Sequence, residues 1–289
     1  VNGQYRADLS DDVSGLSVSS LMDAAARGDD VEECLVNAGS FADAPLAALN
    51  AAYFRDGAVL EVTKDAGMAE ILFYNTGLSA PAAIYPRVLY RLHAGACLTL
   101  VERHAGEGVY FANGHATAVL ARDSRLRHYR LEEESIDAFH FSALTVQQHK
   151  NSSFEGFSLA SGGAVAREEY QNQLLDAGIT SNIGGIYLLR GRQNHDFTVL
   201  MDHFEPDGTS VQSFKGVAND QARAVFQGKI HVRRSAQKTD ANQSHHALLL
   251  SPQAEASFKP ELEIYADDVR CGHGATSGRL DAKALLYLR

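Results

Sequence analysis

The sequence has no apolar run approaching the roughly 18 residues that a membrane-spanning helix requires. Its first nine residues are polar and carry no hydrophobic segment of the secretory-signal kind. It begins at Val1 rather than methionine, which reads as a fragment or a processed product. Cysteine is scarce: Cys34, Cys97 and Cys271 are odd in number and far apart, which does not read as a disulfide framework. A reducing cytoplasm is the expected compartment, and cysteine chemistry there means thiolate or metal ligation. Positive charge is short as well, with 26 Lys and Arg against 36 Asp and Glu and a net charge of −10, which argues against a protein built to grip nucleic acid. Neither a GxxxxGK[ST] phosphate loop nor a GxSxG nucleophile elbow occurs, so any use of ATP falls to a partner.

What is present falls into three parts. Residues 1–56 read as a helical capping region. Ser14 or Ser17 is placed to cap a helix through Val18, Leu21, Met22 and Ala25, with Gly28 as its stop. A second, alanine-rich helix fits 42–53, where Leu46, Leu49 and Ala52 fall at helical spacing and Asp43 stands near the start. From Gly57 the texture changes, and 58–62, 70–74, 87–92 and 96–102 suit short strands. Further strand starts at Phe139, Ser153, Val165, Thr180, His195, Thr209 and Ala222 lie about 14 residues apart, 83 residues in six steps. Gly162-Gly163, Asp176-Ala177-Gly178, Arg190-Gly191-Arg192 and Asp207-Gly208 supply turn residues between them.

Evenly spaced short strands arise in antiparallel sandwiches or barrels and in solenoids of stacked strands. The spacing is slightly long for tight hairpins, and hairpin dipeptides are few, which puts the solenoid modestly ahead. The lack of a useful helix in 139–232 weakens a doubly wound α/β reading. Solenoid ends need covers. The N-terminal helices suit one end. At the other, 281–289 reads as the start of a helix with Ala282, Leu285, Leu286 and Leu288 as its apolar stripe, expected to continue past Arg289. The divisions are then 1–56, a core at 57–280, and 281–289.

Contiguous stretches near the C-terminus carry a family resemblance. They are Phe226-Gln227-Gly228-Lys229-Ile230, Ala236-Gln237-Lys238-Thr239-Asp240-Ala241, residues 259–269, Cys271-Gly272-His273-Gly274-Ala275-Thr276 and Gly278-Arg279-Leu280-Asp281. Leu49-Asn50-Ala51-Ala52 and 196–203 agree. Over residue 45 to the end the chain resembles the SufB/SufD family of the SUF iron–sulfur cluster assembly system, its SufD branch above all. The resemblance implies an all-β-dominated right-handed parallel β-helix flanked by helical termini, which decides between the two architectures. It implies a non-enzymatic scaffold subunit that pairs with a SufB-type paralogue and a SufC-type ABC ATPase, and a homodimer in isolation. In that family the ATPase docks on the C-terminal helical region, most of which lies beyond this sequence. No cofactor is expected to be held stably by the chain alone; iron or a nascent cluster would be bound transiently in the complex.

Cys271 and His273 are the candidate metal residues. Two apart on a strand, they share a face with Cα atoms roughly 6.5 Å apart, and a thiolate beside an imidazole suits iron or zinc. A cluster usually takes about four ligands, so two make a half-site at an interface that a partner completes. The alternative is a buried cysteine acting as a small hydrophobe and a histidine satisfying a turn carbonyl. His245 is a weak candidate, read with His246 as surface-loop histidines where SufB has a cysteine. His195 and His203 lie too far apart on one strand to share an ion, and Cys34 and Cys97 read as structural, with His93 and His104 near Cys97 as a remaining question. Arg233, Arg234 and Lys238 form a small basic cluster. Two other functions fit the fold: a polysaccharide-active β-helix enzyme using Asp267, Asp268 and Arg270, and a self-associating module without a metal role.

Overall fold

The computed structural model describes residues 1–32, 34, 45–279 and 286–287. The expected C-terminal helix, Leu286 and Tyr287 apart, and the expected helix start at Asp43 lie outside the described residues. A 3-10 turn at Ala7–Leu9 is followed by β1 (Leu16–Ser20), α1 (Leu21–Arg27) and α2 (Pro45–Tyr53). The strands β2 (Gly57–Val62), β3 (Asp65–Ile84), β4 (Arg87–Leu92), β5 (Cys97–Leu120), β6 (Arg125–Glu133), β7 (Phe139–Gln148) and β8 (Ser153–Ala160) come next. Then follow β9 (Val165–Leu174), β10 (Thr180–Leu189), β11 (Asn194–His203), β12 (Thr209–Ala218), β13 (Arg223–Val232), β14 (Asp240–Leu249), β15 (Glu255–Ile264) and β16 (Arg270–Arg279).

From β5 onward each strand pairs in parallel with the strand two further along, never with its sequence neighbour except at β5 itself. The 24 residues of β5 are long enough to serve both faces: Cys97 to Ala105 pair with β6, and Phe111 to Leu120 with β7. The result is a parallel β-solenoid of about eight turns, 62% strand, in agreement with the expected right-handed parallel β-helix. Of the seven expected strand starts, five coincide with the observed ones, and those at His195 and Ala222 are each one residue out. The 14-residue spacing is half a coil. Thr180, Thr209, Asp240 and Arg270 stack in register at separations of 29, 31 and 30 residues.

One corner of the coil explains the regularity. The residue two before β5, β6, β8, β10, β12 and β14 has positive φ in every case: Gly95, Asp123, Asn151, Gly178, Asp207 and Lys238. Five are Gly, Asn or Asp, the types that enter the left-handed region at low steric cost. Each donates its backbone N–H to a carbonyl of the following coil, as from Asn151 to Ala177 and from Asp207 to Gln237. The corner thus adds an inter-coil hydrogen bond that a helical or extended residue at that place would not make.

Between the two facing halves of the one sheet, which join through β5, the side chains of alternate residues are buried, and aromatic rings from successive strands form a column along the axis. Phe197, Phe214, Phe226, His245 and Phe258 stand at successive centroid distances of 5.3, 5.0, 4.9 and 4.1 Å. Each such pair adds about 0.5–1.5 kcal/mol beyond the area it buries. Towards the N-terminal coils the interior is ionic instead. Glu102 accepts from the Tyr90 hydroxyl (2.8 Å) and from Arg130 Nε (3.0 Å) and Nη2 (2.8 Å), with His104 Nε2 at 2.7 Å and His128 Nε2 at 2.8 Å. Burial alone would push Glu102 up, but the Arg130 and His128 charges and these hydrogen bonds hold it well below the usual carboxylate range. Arg130 also donates to Ser142 Oγ at 2.8 Å and faces Glu168, which accepts from Ser158 and Tyr170.

The N-terminal region differs from the sequence reading at one point. Residues 16–20 are a strand, not the first turns of a helix. Leu-Ser-Val-Ser-Ser alternates, and it pairs antiparallel with β2, so the solenoid's free edge strand overrides any helical tendency. The cap is therefore Ser20, whose hydroxyl accepts from Asp23 N, and Gly28 ends α1 in the left-handed conformation. The helix α2 is fastened by buried Asn50, which donates to the carbonyls of Asn113 (2.6 Å) and Pro86 (3.1 Å) and accepts from Arg87.

Truncating Arg130 removes the guanidinium that Glu102 and Glu168 share in the interior, an effect of about 3–5 kcal/mol. The Arg130→Met chain should therefore show a urea midpoint far below that of the parent; a shift within experimental error would show that the ionic interior does not hold the coils together.

Candidate metal edge at the last coil

Along β14 the inward residues are Ala241, Gln243 and His245, all buried. The register places Cys271 on Ala241, His273 on Gln243 and Ala275 on His245. Cys271 and His273 therefore continue the inward face of the solenoid, yet Cys271 is only half-buried and His273 is exposed. The cause is position: β16 pairs with β14 on one side, and among the described residues no strand pairs with its other side. On the opposite sheet β15 is in the same situation, and its inward residues Ala256, Phe258 and Leu262 are partly open.

The chemistry of this edge is that of an incomplete donor set. Burial pushes the Cys271 thiol above its ordinary value, against a hydrogen bond with the Ala241 backbone, and the Asp240 carboxylate adds to the rise. The sulfur is thus a thiol until a metal ion or a cationic neighbour stabilises the thiolate. Beneath His273, Gln243 donates from Nε2 to Gln212 Oε1 at 3.0 Å, while its own Oε1 is buried without a partner. A Cβ at Gly274 would meet nothing within 4 Å, so the chain's own packing does not require glycine there. One sulfur and one imidazole on the inward face at the open edge, with an idle amide oxygen below, fit part of a transition-metal coordination sphere and fall short of the about four ligands a cluster takes.

Other sequence candidates land elsewhere. His245 is not a surface-loop residue: it is 1% exposed, stacked between Phe226 and Phe258, with Nε2 3.3 Å from the Tyr187 hydroxyl. The period-two pattern of β14 turns it inward and leaves His246 on the outer face, 2.7 Å from Thr276 Oγ1. His195 and His203 are also core residues, held by the Gly162 carbonyl (2.8 Å) and the Ser210 hydroxyl (2.9 Å). The basic cluster is partly neutralised: Arg233 grips Asp202 through two nitrogens and lies over the Phe204 ring at 3.8 Å. Cys34 is buried, Cys97 is half-buried, and His93 pairs with Glu61. Asp267 and Asp268 are exposed ahead of β16, where Asp268 N donates to Gln237. Sequence reasoning missed the ionic interior, because the strand alternation that buries Glu102, Arg130, Glu134 and His140 looks the same as alternation that exposes them.

The class is a parallel β-solenoid with a cysteine and a histidine in the inward register of β16, accessible among the described residues. Residues 73–289 match the family described as SUF system FeS cluster assembly, SufBD core domain. An iron–sulfur cluster assembly SufBD family protein of Synechocystis is 30% identical over 83% of this chain and 56% of its own length. The chloroplastic protein ABCI7 of Arabidopsis thaliana is 33% identical over 71% of the chain and 44% of its own length. The iron–sulfur cluster assembly protein SufD of Escherichia coli is 33% identical over 69% of the chain and 49% of its own length. The chain belongs to the SufB/SufD family and is close to SufD. It spans about half the length of these relatives.

His245 yields a pH test. Burial, with the neighbouring His246 charge, pushes it down to about 4, and burial does the same to His115, His195 and His203. Unfolded histidine titrates near 6.5. The unfolded chain therefore binds more protons between pH 6.5 and pH 4, and stability present above pH 6.5 is lost as pH falls through that window. The urea midpoint should drop from pH 7.5 to pH 5. In His245→Phe, which keeps the aromatic column and removes the unpartnered buried Nδ1, the drop should be smaller. An unchanged drop would show that His245 takes up its proton alike in the folded and unfolded chain, against the burial seen here.

Proposed function

We propose that this chain is a non-catalytic scaffold subunit of an iron–sulfur cluster assembly complex, working in the cytoplasm with a SufB-type paralogue and a SufC-type ATPase. Its last coil supplies Cys271 and His273 as half of a site for iron or a nascent cluster, and the SufB-type partner supplies the rest. The observation that carries this reading is the exposure of β16's inward face, which is buried in the coils before it. An exposed core face beside an unpaired strand edge is unfavourable for a chain alone. A second β-solenoid docked there would cover Phe258 and Leu262, satisfy the edge and bring new ligands to the same spot. The open space at Gly274 lets that partner's backbone or the cluster approach. Iron and cluster are cargo here, held between subunits rather than within one.

The same edge supports a second behaviour. Purified without its paralogue, the chain is expected to pair with another copy through β15 and β16, so a homodimer and a heteromer would compete for one surface.

Co-expression with a SufB-type subunit tests both. The parent should co-purify as a heteromer carrying iron and sulfide after anaerobic reconstitution, whereas the chain alone should be colourless and free of ATPase activity. His273→Ala should co-purify equally well but bind iron at least about tenfold more weakly, since even supporting partners of a metal ligand weaken binding ~10–100-fold when lost. Equal iron and sulfide in parent, His273→Ala and Cys271→Ser complexes would refute the site assignment. A stable cluster on the isolated chain would refute the half-site argument.

A further inference from the structure

The ionic interior contains a donor set that the edge site does not use. His104 on β5, Glu134 just after β6 and His140 on β7 each offer one ligand atom, and the three atoms lie within 4.8 Å of one another. All three residues are buried, with side chains 8%, 0% and 2% exposed. Their orientation is fixed from outside the set. Glu102 holds His104 Nε2 at 2.7 Å, Asn75 donates to Glu134 Oε1 at 3.0 Å, and Phe73 stacks flat on the His104 ring at 4.7 Å. The two imidazoles meet edge to face at 4.9 Å. His140 Nδ1 lies 3.1 Å from Glu134 Oε2, while His140 Nε2 is buried with no partner at all.

Two physical arguments converge on a cation. Glu102, Glu132, Glu134 and Glu168 are all buried here, and the fixed cation among them is the Arg130 guanidinium, with the His128 and His140 imidazoles as the remaining compensating groups. Buried charge is retained only where it is compensated. The donors are also those of a transition-metal site, two imidazoles and a carboxylate, with a second carboxylate holding the outer nitrogen of one ring as is usual for metal-bound histidine. We propose that His104, Glu134 and His140 form a buried site for a divalent first-row transition cation in the early coils. Six inter-strand steps separate β5 from β16, so this site lies about 29 Å from the Cys271 and His273 edge at ~4.8 Å per step. It ties the turn after β6 to β5 and β7, a structural role independent of whether the edge carries iron.

The test uses the full chain with Cys271→Ser and His273→Ala combined, which removes the edge donors. Chelator-stripped and then dialysed against Zn(II), it should retain one equivalent of zinc per chain and unfold at a higher temperature than the stripped form. Adding Glu134→Gln, which keeps the acceptor for Asn75, should weaken zinc binding at least tenfold and abolish the thermal shift. Should that variant fail to fold, Co(II) loading of the edge-deleted chain decides: visible d–d bands with two imidazoles in the X-ray absorption first shell support the site. No retained zinc, retention unchanged by Glu134→Gln, or a first shell without imidazole would overturn the proposal, leaving an imidazolium–carboxylate pair between His140 and Glu134.

Discussion

Every inward side chain of this solenoid depends on the next coil to cover it. A parallel strand stacked at ~4.8 Å leaves room for one layer of side chains, and that layer is buried only if another lies on top of it. The rule runs unbroken from Leu60 and Tyr90 in the early coils to Phe226 and His245 near the end, all of them 0–1% exposed. It lapses at β15 and β16, whose inward residues carry the same pattern with no further coil over them among the described residues. Cys271 and His273 are accessible for that reason alone. One register further in, the same two side chains would be a core cysteine and a core histidine like Cys34 and His245.

The interior changes character along its axis, and the change follows from what each layer can satisfy. Where aromatic rings follow one another from Phe197 to Phe258, stacking and area burial suffice, and a polar member such as His245 uses a single ring nitrogen in hydrogen bonding. In the early coils charge must be compensated inside the sheet sandwich. Glu102 does this with four side chains at once, from strands β4, β5 and β6. Such a network is costly to assemble and costlier to break. It fixes the relative placement of three strands from two adjacent coils in a way that slippage-tolerant aliphatic layers cannot.

Much of the fold was legible in the sequence because the solenoid repeats its punctuation. Asn151, Gly178 and Asp207 recur at one corner because that corner requires positive φ, and the strand starts follow two residues later. Lys238 occupies the same corner without belonging to that residue class, so the rule alone would have missed it. Periodicity could not separate stacked from antiparallel strands, since alternation and turn residues are common to both; the family stretches did. The N-terminal strand β1 was misread as helix because its partner β2 is distant in sequence and local spacing carries no trace of an edge in need of pairing. In the candidate site, the shared face of Cys271 and His273 followed from period two. The burial of His245 was within reach of the same argument, had the strand rather than a loop been assigned at 240–249.

The two donor sets differ in what the fold asks of them. His104, Glu134 and His140 are surrounded on all sides by their own chain, held by Glu102, Asn75 and Phe73, so an ion there exchanges only if the coils part. That suits a permanent, structural occupant. Among the described residues, Cys271 and His273 have the chain on one side only, with an unpartnered Gln243 oxygen behind them. On the proposed reading an ion there would arrive and leave, its coordination completed by whichever surface closes over the coil. The proposed scaffold role would call for the second kind of site, where a side chain of the core pattern is left without a covering coil.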